Sequence, residues 1–183
     1  GEYVAESKKV FIAKALENSS DIYFASENIK EIYPSTLLGD YQKHNIKTVL
    51  QTIEVLNSQN EFVVSNENIK SGLLNVIKNT GLQGRWQQIH TSPKVVCDTA
   101  HNKHGLEIVL NQVQNEKYDT LHIVLGVLTD KVLNDILPLF PKKAKYYFCK
   151  PKILRGLDAN ILKQKAMDFQ LKGEVFISVS NAY

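Results

Sequence analysis

The residue types best suited to chemistry lie together in segment 95–105, which reads Val-Val-Cys-Asp-Thr-Ala-His-Asn-Lys-His-Gly. A short apolar run ends there in Asp98, and His101 and Asn102 follow closely. This pattern predicts a buried parallel strand that runs into a helix. Because ligands of open α/β sheets bind beyond the carboxyl ends of the strands, we expect Asp98 to lie in such a crevice. His101 and Asn102 would open the helix, where unpaired backbone N–H groups favour an anion.

The residues of this segment also allow simpler interpretations. Asp98 is of a type that caps helices, and such a cap needs no ligand. Asp98, His101 and His104 are possible metal ligands, but their spacing matches no metal-binding pattern, so we expect no metal here.

Arg85, which follows Gly84, suits either a solvated surface position or a phosphate clamp built on its fork of N–H donors.

The elements that must position these residues follow two different sequence patterns in the two parts of the chain. Helical spacing of apolar residues dominates the first part of the chain, whereas strands and helices alternate from residue 86 onward. The predicted helices are 4–17, 46–56, 69–77, 102–114, 131–137 and 158–168, and the predicted strands are 22–25, 86–90, 94–98, 121–127, 145–149 and 174–179. Alternation of this kind predicts an α/β fold, with a Rossmann-like, mostly parallel sheet and flanking helices. We place a domain boundary between residues 82 and 83.

Composition limits the classes of function. The chain has 183 residues, 43% hydrophobic and 22% charged, with a net charge of +3, which is typical of a globular protein with a real core. A dense basic stripe and a long apolar run are both missing, so we expect neither nucleic acid nor membrane as a partner. Cys97 and Cys149 lie in separate apolar runs, which favours reduced thiols and a cytoplasmic location. The sequence carries no phosphate-loop or dinucleotide-binding glycine motif.

Five motifs follow one another in an order that resembles a known family. They are Leu37-Leu38-Gly39-x-x-Gln42-x-x-Asn45, Gly84-Arg85-Trp86, Asp98-x-Ala100-His101-Asn102-x-His104-Gly105, Thr129-Asp130-Lys131 and Pro151-x-x-x-Arg155-Gly156. Together they resemble the carboxy-terminal half of folylpolyglutamate synthase/dihydrofolate synthase, of the Mur ligase superfamily. The resemblance covers nearly the whole chain.

The resemblance implies a domain organisation and a reaction. Residues 1–82 would be the end of a central ATPase domain, and residues 83–183 a carboxy-terminal Rossmann-like glutamate-ligase domain, truncated at its end. Such enzymes use ATP and magnesium, with the metal ligands mainly in the earlier part of the protein. They convert a folate or dihydropteroate carboxylate into an acyl phosphate, which the amine of L-glutamate attacks. On this basis we expect the piece to be inactive by itself.

Roles for particular residues also follow from the resemblance. Asn45 would contact adenine, Arg85 the nucleotide phosphates, and Asp98 the ribose or linker region. His101, with Asn102, would hold the incoming glutamate. No residue of this chain is assigned as a catalytic group or a metal ligand. The implied partners are therefore small molecules, and the parent protein is expected to be a monomer.

Other functions remain open at this stage. Within the superfamily, the alternative is a cell-wall amino-acid ligase of Mur type. Outside it, the chain could be a non-catalytic nucleotide-binding or interaction module, or a small metal-dependent hydrolase that uses Asp98, His101 and His104. The residues do not separate folylpolyglutamate synthase from dihydrofolate synthase activity.

Overall fold

The computed structural model describes residues 5–60 and 63–183. Contacts divide the chain into two compact units, Gly1–Asp98 and Thr99–Tyr183. The contacts group residues 83–98 with the first unit. The boundary expected from sequence, between residues 82 and 83, stays a prediction. Among the described residues, no helix is long and apolar enough to cross a bilayer.

Helices dominate the first unit. The elements are α1 (Ala5–Glu17), α2 (Ala25–Asn28), α3 (Gln42–Ser58), α4 (Asn66–Leu74), α5 (Val76–Thr80), β1 (Gln87–Thr91) and β2 (Lys94–Cys97). Ile46 and Leu50 lie one turn apart on α3 and pack with Ile29 in a small buried cluster. Ser65 caps α4 by accepting the N–H of Asn68, and Gly81 ends α5 at a positive φ of 67°. The predicted helix at 46–56 is therefore confirmed and extends further in both directions.

Two local predictions in this unit are wrong. The strand expected at 22–25 is absent: residues 20–24 are irregular and α2 begins at Ala25. A run of four apolar residues fits a strand or a helix entry equally well, and the sequence period cannot choose between them. The helix expected through 69–77 is interrupted at Asn75, whose side-chain amide donates to the carbonyl of Ser71.

The strand that leads to Asp98 is also different from the prediction. β2 pairs antiparallel with β1 in a separate two-stranded sheet, so it is not a buried strand of a parallel sheet. Only Ser92 and Pro93 connect the two strands, and a connection this short can join antiparallel strands but not parallel ones. Asp98 therefore follows a hairpin.

The second unit contains the parallel sheet. Its elements are α6 (Lys103–Gln114), β3 (His122–Leu125), α7 (Leu133–Ile136), a 3₁₀ turn (Leu137–Leu139), β4 (Lys145–Cys149), α8 (Ala159–Asp168), β5 (Gly173–Phe176) and α9 (Val179–Ala182). The strands lie in the order β3–β4–β5, all parallel. The α/β class expected from sequence is confirmed.

A single apolar core supports this sheet. Tyr146 and Phe148 of β4 are almost completely buried, and Leu162 and Ala166 of α8 and Leu106 of α6 pack in the same cluster. Asp158 caps α8 through the N–H groups of the helix start, and this holds the pKa of its carboxyl below the usual value. The core thus fixes the strand ends from which the loops of the candidate site emerge.

Candidate functional site

The carboxylate of Asp98 is held by two donors within the first unit. Its Oδ2 accepts a hydrogen bond from the Tyr41 hydroxyl at 2.8 Å and from the backbone N–H of Trp86 at 2.7 Å. Asp98 is half-buried, immediately after β2. Hydrogen bonds to an ionised oxygen are stronger than neutral ones, so these two contacts fix the orientation of the carboxylate.

Tyr41 donates this hydrogen bond because its hydroxyl is kept protonated. Burial is the main cause that raises the pKa of its hydroxyl, and the hydrogen bond to Asp98 and the charge of Asp98 raise it further. The charge of Arg85 and a side-chain hydrogen bond with Gln42 act in the opposite direction. At neutral pH Tyr41 is therefore a hydrogen-bond donor, and Arg85 lies within electrostatic range of it.

Trp86 contributes through its backbone. It has a positive φ of 50°, in the left-handed region that non-glycine residues rarely adopt, and its side chain is only 5% exposed. Such a conformation costs about 1 kcal/mol or more. Burial of the indole and the N–H contact to Asp98 offset that cost. The side chain of Trp86 therefore packs in the interior of the first unit.

Asn45 is linked to this group through a buried glutamine. Gln42, at the start of α3, is 6% exposed, and its Oε1 accepts a hydrogen bond from Asn45 Nδ2 at 3.0 Å. Asn45 itself is exposed one turn further along. The predicted adenine residue and the predicted ribose residue therefore belong to one unit, with Gln42 and Tyr41 between them.

Arg85 is exposed in the turn that precedes β1. Its Nη1 donates to the carbonyl of Gly84 at 3.3 Å. A guanidinium carries five N–H donors in a fixed fork, so this contact orients the group without exhausting its donors. An accessible cation beside the Tyr41–Asp98 pair suits the clamp role expected for it.

His101 and Asn102 lie in the second unit, where Asn102 caps α6. Its Oδ1 accepts the backbone N–H of Gly105 at 2.8 Å. His101 Nδ1 lies 3.0 Å from the carbonyl oxygen of Thr99. A carbonyl can only accept, so Nδ1 carries the proton and the neutral ring has its acceptor at Nε2.

His101 also borders a small cavity beyond the carboxyl end of β3. The cavity measures about 80 Å³, and Lys131 and Gly126 line it together with apolar side chains. The expected crevice beyond a parallel strand therefore exists, but it belongs to β3 and to His101, not to the strand before Asp98.

The two loops that follow β3 and β4 are joined to each other. The N–H of Thr129 donates to the carbonyl of Arg155, and that of Leu157 donates to Val127, both at 2.9 Å. Gly156 is buried between them, and a Cβ there would collide with the carbonyl oxygen of Pro151. The Thr129-Asp130-Lys131 and Pro151-to-Gly156 motifs thus form one surface beside the cavity.

Sequence reasoning missed Tyr41 and Gln42 as parts of the site. The separation of Tyr41 and Asp98 by 57 positions leaves no trace in local spacing. Gln42 is a member of the first of the five motifs, and its polar character at a core-facing position of α3 was a further signal. No group of three or more His, Cys, Asp or Glu side chains in residues 5–60 and 63–183 is placed to hold a metal.

A parallel α/β unit with a small crevice at its strand ends has the architecture of a Rossmann-like domain. The family model described as "Mur ligase, glutamate ligase domain" matches residues 84–183. The chain belongs to the Mur ligase family.

Individual relatives agree with this assignment. A probable bifunctional folylpolyglutamate synthase/dihydropteroate synthase of Haloferax volcanii is 32% identical over 126 residues, which are 69% of this chain and 14% of that protein. Its similarity extends outside the range of the family match, since 126 residues exceed the span 84–183.

Two solved structures share the fold. Folylpolyglutamate synthase of Mycobacterium tuberculosis, complexed with ADP and AMPPCP, has a TM-score of 0.84 at 18% identity over 100% of this chain and 46% of that chain. The bifunctional folylpolyglutamate synthase/dihydrofolate synthase of Yersinia pestis, complexed with AMPPNP and a Mn ion, has a TM-score of 0.67 at 20% identity over 95% and 43%. This chain therefore spans less than half the length of these relatives.

Proposed function

We propose that this chain is the carboxy-terminal part of an ATP-dependent ligase that adds L-glutamate to a folate or dihydropteroate carboxylate. The observation that carries the proposal is the Asp98 carboxylate held by Tyr41 and Trp86, in a chain whose later part matches the glutamate ligase family. The Haloferax relative supports the folate branch over cell-wall substrates. We further propose a monomeric protein in the cytoplasm.

The reaction has two steps. The substrate carboxylate takes the terminal phosphoryl group of ATP, giving an acyl phosphate and ADP. The amine of glutamate then attacks the acyl carbon, so that an amide bond forms and inorganic phosphate leaves. Both steps depend mainly on positioning the reactants and stabilising charge.

The first unit would bind the nucleotide. The amide of Asn45 can both donate to and accept from adenine, and a carboxylate such as Asp98 accepts from ribose hydroxyls. The guanidinium of Arg85 would bind the phosphates through paired hydrogen bonds. Magnesium would neutralise phosphate charge when bound. We propose that its ligands lie mainly in the earlier part of the parent protein.

The second unit would bind glutamate. Oδ1 of Asn102 serves the helix cap, so its Nδ2 is the group that donates to a substrate carboxylate. In the tautomer with its proton on Nδ1, His101 presents Nε2 as an acceptor for the incoming amino group. The start of α6 also favours a negatively charged ligand.

Phosphate release by the complete protein tests this function. With ATP, dihydropteroate or a reduced folate, and L-glutamate, we expect release that stops when either the pterin acid or glutamate is left out. Release with a nucleotide-linked sugar peptide, and none with any folate acceptor, would instead establish a cell-wall ligase. Binding of ATP without release under any of these conditions would indicate a nucleotide-binding module.

A further inference from the structure

We propose that Tyr41 and Gln42 are positioning residues that set the orientation of the two nucleotide contacts, with Tyr41 orienting Asp98 and Gln42 orienting Asn45. This inference rests on the proposed nucleotide roles of Asn45 and Asp98. Neither Tyr41 nor Gln42 has to touch the nucleotide for it to hold. Each acts through one hydrogen bond to a residue that does.

Tyr41 orients Asp98 because it binds the same oxygen as the Trp86 backbone. Two donors that converge on Oδ2, at 2.8 and 2.7 Å, define the plane of the carboxylate. A ribose hydroxyl would donate to the carboxylate in this fixed orientation. Without the phenol, Oδ2 would lose one of the donors that restrain it, and the carboxylate would be less firmly oriented.

Gly39 provides the space that Tyr41 occupies. A Cβ at position 39 would lie 2.7 Å from Cε1 and 2.8 Å from Cζ of the Tyr41 ring. The ring therefore packs directly over the backbone of Gly39, which is itself buried. An alanine at this position would displace the ring and, with it, the hydroxyl that reaches Asp98.

Gln42 orients Asn45 through its buried amide. Because Gln42 Oε1 accepts from Asn45 Nδ2, the Asn45 amide is turned so that Oδ1 lies on the other side. That oxygen suits the exocyclic amino group of adenine, which is a donor. Gln42 is only 6% exposed, and a buried amide without a hydrogen-bond partner is costly. Its hydrogen bond with Asn45 is therefore favoured.

The two pairs start from adjacent residues. Asn45 donates to Gln42 and Tyr41 donates to Asp98, and Tyr41 and Gln42 follow one another at the start of α3. The base contact and the sugar contact are thus held at a fixed separation by residues from one end of α3. Preorganisation of this kind lowers the cost of ordering side chains on binding.

The first test measures binding to the complete protein by titration calorimetry with ATP, 2′-deoxy-ATP and 3′-deoxy-ATP. Tyr41→Phe should weaken ATP binding about fivefold, the effect of losing one hydrogen bond, and should weaken binding of at least one deoxy analogue much less. The preference for ribose therefore falls. Tyr33→Phe is the matched control, because it removes a hydroxyl that donates to the exposed Glu31 outside the site.

A second variant displaces the ring of Tyr41 without changing Tyr41 itself. Gly39→Ala should reduce the preference for ATP over the same deoxy analogue that Tyr41→Phe affects. Since no positive φ is involved at Gly39, the substitution acts through the displaced ring and not through backbone strain.

The base contact is tested with ATP and inosine triphosphate, which lacks the exocyclic amino group. Gln42→Met should reduce the preference for ATP about fivefold and leave the preference between ribose and deoxyribose less affected. Gln51→Met is the matched control, since Gln51 is a similarly buried glutamine on α3 that accepts from Asn28.

Unchanged preferences in Tyr41→Phe and Gln42→Met would overturn the proposal. So would an equal loss of affinity for every nucleotide accompanied by a lower melting temperature, which indicates a packing role only. These titrations need no turnover, so the result is independent of the ligase assay. If phosphate release shows no dependence on folate and glutamate while the selectivity changes occur, the proposed reaction fails and the positioning roles stand.

Discussion

At the scale of single residues, the proposed nucleotide contacts differ in their surroundings. Asp98 is half-buried and fixed by two donors, whereas Arg85 is exposed and bonded to a neighbouring carbonyl. A fixed carboxylate suits recognition of a ribose that does not change during the reaction. An exposed guanidinium with several N–H donors suits a phosphate chain on which charge moves.

Arg85→Ala in the complete protein should lower kcat/KM for ATP about 100-fold. Removal of a charged donor that stabilises a transition state costs about 3 kcal/mol, and 1.36 kcal/mol corresponds to a factor of ten. Steady-state phosphate release measures the effect. Arg85→Lys is the matched variant: it keeps the charge but loses the fork, so it should recover only part of the activity. Unchanged turnover in Arg85→Ala would remove Arg85 from the phosphate site.

At the scale of elements, α6 combines a structural and a proposed functional role in one side chain. Asn102 caps the helix with Oδ1 and offers Nδ2 to glutamate in our proposal. Asn102→Ala should lose both, destabilising the second unit by about 1 kcal/mol, the usual cost of a lost cap. Asn102→Asp should keep the cap but repel the substrate carboxylate, so it should raise the KM for glutamate without lowering the melting temperature.

Melting curves and glutamate titrations of both Asn102 variants separate these roles. The KM for ATP serves as the internal control, because the proposed nucleotide contacts lie in the first unit. A KM for glutamate that is unchanged in Asn102→Asp would leave Asn102 as a helix cap and nothing more.

The long amphipathic elements could be predicted from sequence because their patterns repeat. The helix expected at 102–114 is observed as α6, but its cap is Asn102 and not Asp98, the residue considered for that role from sequence. Short apolar runs carry no such information. The run before Asp98 fits a parallel strand or a hairpin, and the connection at Ser92–Pro93 decides in favour of the hairpin.

The candidate site was predictable only in part, for a similar reason. Asp98, His101 and Asn102 are conspicuous because they are adjacent in sequence. The structure, however, assigns Asp98 to the first unit and the other two to the second. The Tyr41–Asp98 bond connects the start of α3 to the end of β2, and a contact at that separation depends on tertiary packing.

At the scale of the whole molecule, each unit has its own apolar core. Ile29, Ile46 and Leu50 form the cluster in the first unit, and the cluster around Tyr146, Phe148 and Leu162 in the second includes more of the described residues. Buried apolar area is the main stabilising contribution to folding. We therefore expect the second unit to be the more stable of the two.

We also expect the two units to unfold independently of each other. Hydrogen exchange of the chain, followed peptide by peptide, tests this expectation. Leu162 has no exposed surface, so Leu162→Ala should leave a cavity, cost about 2–5 kcal/mol and reduce protection of α8 and the parallel sheet. Protection of α3 should not change, because mutations at separate sites act independently. Leu50→Ala is the matched variant in the first unit, where it should reduce protection of α3 and leave α8 unchanged. Equal loss of protection in both units from either variant would show that the chain unfolds as one cooperative body, and the two cores would then have to be treated as one.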